Sequence, residues 1–278
     1  MKKVWLITGC STGFGRELAK EALAQGYQVG VAARNTADVA DIISGNEGNA
    51  LALQLDVTKP EEVSNAVAAL QERFGRIDVL VNNAGIGYFG AIEESDEQEV
   101  RRMFEINFFG LAAMTRAVLP VMRQQRRGHI INIASIGGLM AFPAVGYYNA
   151  TKFAVDGFSE SLAKETAHLG IKVTIVAPSG FRTDWAGRSA NDATVKIADY
   201  ETSAGANQKS IRGYSGNQPG DPVRAAKAII SAVETAQPPL RLLLGVAALK
   251  NARLKLDQLK ADFDTWEETT KGADFPKS

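Results

Sequence analysis

The chain has 278 residues, 45% of them hydrophobic and 22% charged, enough to enclose a sizeable core within one domain. Basic and acidic residues number 31 each, for zero formal net charge, and no basic stripe stands out, so neither nucleic acid nor an anionic membrane is expected as a partner. A lone cysteine, Cys10, excludes an internal disulfide, and His129 and His168 are too few and too isolated for a metal cage, so no metal is expected.

Residues 3–8 read as a short buried strand, too short and poorly flanked for a signal peptide, which gives a cytoplasmic expectation. Gly9-Cys10-Ser11-Thr12-Gly13-Phe14-Gly15 follows, with Cys10 as a small filler, and then helix-forming residues to Ala24. A strand, a glycine turn and a helix make a phosphate cradle. One glycine serves the tight turn, one lets backbone approach a pyrophosphate, and one allows helix and strand to pack closely, with the helix N-terminus facing the anion. Gly9, Gly13 and Gly15 fit those roles in order. Their Gly-x-x-x-Gly-x-Gly spacing departs from the commoner fingerprint, and a glycine turn serving packing alone has the same composition.

The second strand, 28–33, ends on Arg34, where the fingerprint places a carboxylate for a ribose hydroxyl. With no carboxylate expected there, the forked donors of Arg34 suit a 2′-phosphate and favour NADP(H) over NAD(H). Arg16 is a second basic candidate, and a solvated loop arginine is the plain alternative. Apolar runs at 51–55, 78–81, 129–134, 172–177 and 240–244 alternate with helical stretches, which predicts a doubly wound α/β fold around a parallel β-sheet, a single domain spanning 1–278. Helix starts are marked by capping-box spacing at Thr58 with Glu61 and at Ser95 with Gln98, and by Asp221 before Pro222.

The run Tyr148-Asn149-Ala150-Thr151-Lys152 places a phenol and an ammonium one helical turn apart, because four residues advance a helix by about 400°. Tyr147 stands off that face. A buried ammonium beside a phenol favours phenolate and draws a reference pKa of about 10 toward working pH, as general acid/base chemistry at a carbonyl requires. The same spacing also occurs on ordinary amphipathic helices. After Gly180 the periodicity breaks, and 181–221 reads as a structureless segment rich in Gly, Ser, Asn and Asp, punctuated by Trp185, Tyr200 and Tyr214. At the carboxyl edge of a parallel sheet such a segment is expected to be a substrate-binding lid. Trp185 with Phe89, Met140 and Phe142 would make the pocket apolar. Residues 246–278 read as a C-terminal helix and tail, with Leu249, Leu254, Leu256, Leu259 and Phe263 covering the sheet or the pocket.

The ordered set Thr8-Gly9-x-x-x-Gly13-x-Gly15, Asp56, Asn82-Asn83-Ala84-Gly85, Asn107, Ser135, Tyr148, Lys152 and Pro178-Ser179-Gly180 with Thr183 resembles the short-chain dehydrogenase/reductase family from Lys3 to about Leu244. Ser179 stands where that family usually has glycine. The resemblance implies a Rossmann fold and a tetrad of Ser135, Tyr148, Lys152 and Asn107. It also implies a nicotinamide dinucleotide held by Gly9, Ser11, Thr12, Gly13, Phe14, Gly15, Arg34, Asp56, Val57, Asn83, Ala84, Gly85, Tyr148, Lys152, Pro178, Gly180, Phe181 and Thr183. Asp56 would meet the adenine amino group, Asn83 the adenosine ribose side, Lys152 the nicotinamide ribose and Thr183 the carboxamide.

The implied reaction is hydride transfer between the nicotinamide and a hydrophobic ketone, aldehyde or secondary alcohol. Tyr148 would donate or accept the proton and Lys152 lower its pKa, while Ser135 holds the carbonyl oxygen and Asn107 supports a water. The apolar pocket and long lid are similar to carbonyl reductase, hydroxysteroid and retinol dehydrogenase members. A 3-oxoacyl-carrier reductase is the alternative, with only Arg182 and Arg188 near the lid to receive an acidic carrier. A nucleotide-sensing protein without turnover is the third reading. The apolar stripes Met103, Phe104, Phe108, Leu111 and Phe153, Val155, Phe158, Leu162 fit a core, and in this family also a homodimer or homotetramer interface.

Overall fold

A computed structural model describes residues 2–275, so both ends of the 1–278 assignment lie outside the described residues. Strands β1 (Val4–Ile7), β2 (Gln28–Ala33), β3 (Ala50–Gln54), β4 (Val79–Asn82), β6 (Gly128–Ile133), β7 (Ile171–Pro178) and β9 (Arg241–Leu244) form a seven-stranded sheet in the order β3-β2-β1-β4-β6-β7-β9, parallel throughout. Two short strands, β5 (Gly87–Phe89) and β8 (Ala190–Asp192), pair separately above its carboxyl edge. The helices are α1 (Gly13–Ala24), α2 (Ala40–Ile43), α3 (Pro60–Phe74), α4 (Glu97–Phe104), α5 (Leu111–Gln125), α6 (Gly146–Thr166), α7 (Ala206–Gly213), α8 (Pro222–Glu234), α9 (Val246–Thr265) and α10 (Glu267–Lys271).

The sheet divides two cores because alternate residues of each strand point to opposite faces. Trp5, Ile7, Val29 and Val31 pack with Leu18 of α1 and Ile229 of α8. Val4, Leu6, Leu80 and Ile130 pack with Leu70 of α3, Met114 and Val118 of α5 and Leu162 of α6. Crossovers on both faces leave the strand ends at β1 and β4 flanking the crevice where a doubly wound sheet binds ligands.

Two helix starts differ from expectation. At α3, Thr58 does not cap; its N–H and Oγ1 both donate to Asp56 Oδ1 (3.0 and 2.7 Å), and the helix begins instead on Pro60 with Glu61 and Glu62 in its first turn. At α4 the cap is Asp96, whose Oδ1 accepts from Gln98 and Glu99 N–H, because a carboxylate beside Ser95 is the stronger acceptor; Ser95 Oγ turns back to Ala91 O. Asp221 caps α8 as its sequence suggests.

Helix α6 is fixed from beneath and from the side. Asn82 Nδ2 donates to Asn132 Oδ1 and Thr115 Oγ1 (2.9 and 3.1 Å), and Asn132 Nδ2 to Ser159 Oγ (2.7 Å), a buried polar chain linking β4, β6, α5 and α6. From β9, Arg241 grips Asp156 and Glu160. Those hydrogen bonds from Arg241, followed by Lys164, hold the Glu160 carboxyl at about 2, below its ordinary 4.5. A depressed folded-state pKa stabilises above the unfolded value and loses that contribution as pH falls toward the folded one. The melting temperature should therefore drop between about pH 4.5 and 2, and Arg241→Gln should lower it at pH 7 while flattening that acid slope, as read by differential scanning fluorimetry across pH.

Candidate active site

A cleft of ≈ 1460 Å³ opens at the carboxyl edge of the sheet, and the glycine turn forms one end of it. Gly9 has φ +70°, a left-handed conformation that a side chain disfavours. A Cβ at Gly15 would lie 2.4 Å from Asn83 Nδ2 and 2.5 Å from Gly9 O, so this glycine packs the turn rather than lining the cleft. Asn83 ties the turn to the end of β4: its Nδ2 donates to Thr8 O and Gly9 O (2.9 and 3.0 Å), and Thr8 Oγ1 accepts from the N–H of Asn83 and Ala84. Thr12 begins α1 without a side-chain cap and no acidic residue occupies the first turn. The N–H groups and positive dipole end of this helix thus face the cleft, and the residues there fit the pyrophosphate of a dinucleotide.

Of the expected cofactor residues, Gly9, Ser11, Thr12, Gly13, Phe14, Arg34, Asp56, Val57, Asn83, Ala84, Gly85, Tyr148, Lys152, Pro178, Gly180, Phe181 and Thr183 line this one cleft, and Gly15 supports it from behind. Ser179 lines it as well, its Oγ donating to Leu244 O at 3.4 Å. Burial would raise the Asp56 carboxyl, but the Thr58 hydrogen bonds leave it below its ordinary value and ionised. Arg34 is exposed at the rim and forms no ion pair among the described residues, whereas Arg16 is bound to Asp41 and donates to Asp38 O. Carboxylates share this end of the cleft with Arg34: Asp56, an expected site residue, feels its charge. The turn at 36–39, started by Asn35 Oδ1 accepting from Ala37 N–H, brings Asp38 to the same cleft wall.

The other end carries Tyr148, Lys152 and Ser135. Tyr148 and Lys152 share the buried face of α6, and Ser135 follows β6 with its Oγ accepting from Gly137 N–H (3.0 Å). Lys152 Nζ donates to Ile133 O (2.8 Å) and stands 5.6 Å from the centre of the Tyr148 ring. Burial pushes the tyrosine up to about 12, a Ser135 hydrogen bond pulling the other way, and burial brings Lys152 down to about 8. Burial thus works against the expected acidification of the phenol, and the ammonium, held by Ile133 O, is not among the causes that shift it.

Asn107 sits in a π-helical turn, Glu105–Gly110, between α4 and α5. Its Oδ1 accepts from Ile86 N–H (2.8 Å) and its Nδ2 donates to Ile86 O and Thr151 Oγ1 (2.9 and 3.2 Å). The amide is thus spent on the β4–β5 backbone and on α6. It is 1% exposed and lies behind the cleft wall.

The segment 181–221 is not structureless. Trp185 lies on Tyr148 with ring centres 4.8 Å apart and meets Phe89 edge-on at 5.4 Å. Arg212 of α7 gathers the segment: it donates to Ala186 O, Gly187 O and Ala190 O (2.8, 2.7 and 2.7 Å), pairs with Asp192, and stacks over Phe89 at 4.6 Å. Glu94 fastens the next stretch by accepting from Ile197 N–H and Ala91 N–H. Phe142 and Trp185 line the cleft as expected, but Phe89 is a fully buried support for Trp185, and Met140 lies outside. Tyr214, one of the aromatics expected in the lid, lines it too, while Asn149 and Ile211 line it without having been anticipated; Ile211 was hidden by a segment lacking periodicity.

Comparison with known proteins agrees with this geometry. The short chain dehydrogenase family model matches residues 3–194, and the chain belongs to that family of oxidoreductases. It is 38% identical over 270 residues to Oxidoreductase BOA17 of Botryotinia fuckeliana, covering 96% of this chain and 98% of the relative. It is 40% identical over 244 residues to a 3-ketodihydrosphingosine reductase of Bacteroides thetaiotaomicron, covering 87% and 88%. A crystal structure of a short-chain dehydrogenase from Streptomyces avermitilis superposes with a TM-score of 0.93 at 42% identity, covering 99% of this chain and 100% of that one. More distant structures include one from Burkholderia phymatum in complex with NAD (26% identity, TM-score 0.82, 94% and 95% covered) and ElxO with NADP bound (30%, 0.74, 90% and 100%).

Proposed function

We propose that this protein is an NADP(H)-dependent reductase of a hydrophobic ketone or aldehyde, and in reverse a dehydrogenase of the matching secondary alcohol. The observation that carries the reading is the meeting of a buried tyrosine, a serine and a lysine in the cleft that begins at the uncapped α1 terminus. Relatives binding NAD or NADP, and one named for reducing a keto group, support the same reading.

When bound, the nicotinamide supplies hydride to the carbonyl carbon, or accepts it from the alcohol. The glycine turn and α1 hold the pyrophosphate, Asp56 the adenine side, Lys152 the nicotinamide ribose and Thr183 the carboxamide. Ser135 orients the carbonyl oxygen, and Tyr148 donates its proton to that oxygen as negative charge develops there. Lys152 then steadies the phenolate left behind. The lid excludes water and offers Trp185 and Phe142 to an apolar substrate. Carrier recognition is less favoured, because Arg182 is engaged with Gln218 O and Arg188 with Asp184. Exposed Phe109 and Phe153, on the outer surfaces of the π-turn and α6, support a homo-oligomer in the same proposal.

A panel of ketones and alcohols with both cofactors tests the reading. Arg34→Asp should lower kcat/KM for NADPH about tenfold to a hundredfold, the loss of a charge-assisted pair, while NADH use holds or improves. An equal loss with both cofactors would discard pairing to the 2′-phosphate, and no turnover of either across the panel would discard the reductase.

A further inference from the structure

Asn149 carries a buried acceptor with nothing to accept. The residue follows Tyr148 on α6 and is 3% exposed. Its Nδ2 donates to Phe142 O (3.0 Å), which pins the turn before α6 and fixes which end of the amide is oxygen. Oδ1 then has no hydrogen-bond partner among the described residues. A buried carbonyl left unpaired is destabilising, so its presence calls for a partner that the folded chain does not supply. The space in front of it adjoins the reacting groups. A Cβ on Gly137 would come within 2.8 Å of Asn149 Oδ1, 3.3 Å of Ser135 Oγ and 3.6 Å of Tyr148 Cε1, and glycine leaves that point free. All four residues line the cleft. The indole Nε1 of Trp185, whose ring lies on Tyr148, is a second buried polar atom of this wall without a partner, and it is a donor.

We propose that Asn149 determines substrate specificity by accepting a hydrogen bond from a hydroxyl on the carbon next to the reacting carbonyl, so that the preferred substrate is an α-hydroxy ketone with an apolar tail. The inference rests on the reductase reading above and narrows its substrate. With the carbonyl oxygen placed between Ser135 Oγ and the Tyr148 hydroxyl, a hydroxyl one carbon away stands about one hydrogen-bond length from that oxygen and falls in the gap that Gly137 leaves. A hydroxyl donates to Oδ1, whereas a keto or ether oxygen there would set lone pairs against lone pairs. Trp185 Nε1–H, unpaired on the same wall, likewise favours a substrate with a second oxygen over a plain hydrocarbon ketone. A site built to hydrogen-bond a substrate hydroxyl rejects the analogue without one, because its own buried group is then left unpaired. If Asn149 served only to pin the turn, Nδ2 alone would do so, and substrates with and without the hydroxyl would react alike.

Three ketones of one chain length test this: a methyl ketone, the same ketone with a hydroxyl on its methyl carbon, and the methyl ether of that hydroxyl, which keeps the oxygen but cannot donate. With NADPH, the protein should reduce the hydroxy ketone with a kcat/KM about tenfold or more above that of the ether. Asn149→Ala, which leaves space at the acceptor, and Asn149→Leu, which fills it, should each bring that ratio close to one. The ratio is internal to each variant, so a loss of stability or of cofactor affinity shared by all substrates cancels. Equal kcat/KM for hydroxy ketone and ether in the unaltered protein overturns the proposal without any variant, as does a preference that survives both substitutions. If none of the three ketones is reduced, the reductase reading falls. Calorimetric binding of the hydroxy ketone and its ether to the NADP⁺-loaded protein and to Asn149→Ala then reads the same ratio, and decides the contact independently of turnover.

Discussion

Tyr148→Phe is expected to lower kcat for ketone reduction by about a thousandfold or more, within or beyond the usual range for a positioned general acid, and to leave the dissociation constant of NADPH within about threefold. The ring remains against Trp185, so packing persists; what disappears is the phenol hydrogen that shares the cleft with Ser135 and Lys152. Stopped-flow hydride transfer separates this from a folding defect, and melting should shift little because one hydrogen bond, with Ser135, is lost, worth about 1 kcal/mol. The direction of catalysis has its own signature. A tyrosine pushed up to about 12 carries its proton throughout the physiological range, so reduction needs no prior ionisation, whereas alcohol oxidation needs phenolate and should speed by about tenfold per pH unit. Reduction should fall away above about pH 8, where Lys152 sheds the charge that steadies the phenolate. An unchanged turnover in Tyr148→Phe would end the proton-donor role.

That direction was not legible in the sequence, although the residues were. The spacing of Tyr148 and Lys152 specifies one face of α6, but it carries no information on how far the face is desolvated or that Ile133 O takes the ammonium. Strands, glycine turn and cleft follow from local signals: short apolar runs, glycines where a Cβ would collide, and a helix start without a competing acid. Asn107 shows the opposite limit. A helix-forming stretch places it, yet only the π-helical turn decides that its amide faces Ile86 and Thr151 rather than the cleft. Asn132 reads as a member of an apolar run and Asn82 as part of the Asn-Asn-Ala-Gly motif, and the hydrogen-bonded chain they make with Ser159 emerges only when β4, β6 and α6 are assembled. Asp38 reaches the cofactor end through a turn whose geometry, not its composition, sets its position.

Arg212 is the residue sequence reading missed with the largest expected consequence. Its guanidinium satisfies three lid carbonyls and Asp192 at once, which is why a segment poor in apolar residues keeps a defined path and presents Trp185 to Tyr148. Arg212→Ala leaves those carbonyls to water and removes the stacking on Phe89, so the β5–β8 pairing loses its brace. Losing about 2 kcal/mol of positioning corresponds to roughly thirtyfold in kcat/KM for a bulky ketone. The effect should lie mainly in KM, with cofactor affinity nearly constant because the glycine turn is remote from α7. Arg212→Lys should recover little, since a single ammonium cannot reach three carbonyls in a planar fork. Small water-soluble aldehydes, which need no apolar cover, should lose less than bulky ketones. Kinetics in which all substrates and NADPH binding decline together would show Arg212 to be a stabiliser of the whole domain, and an unaltered bulky-ketone kcat/KM would remove it from the substrate site altogether.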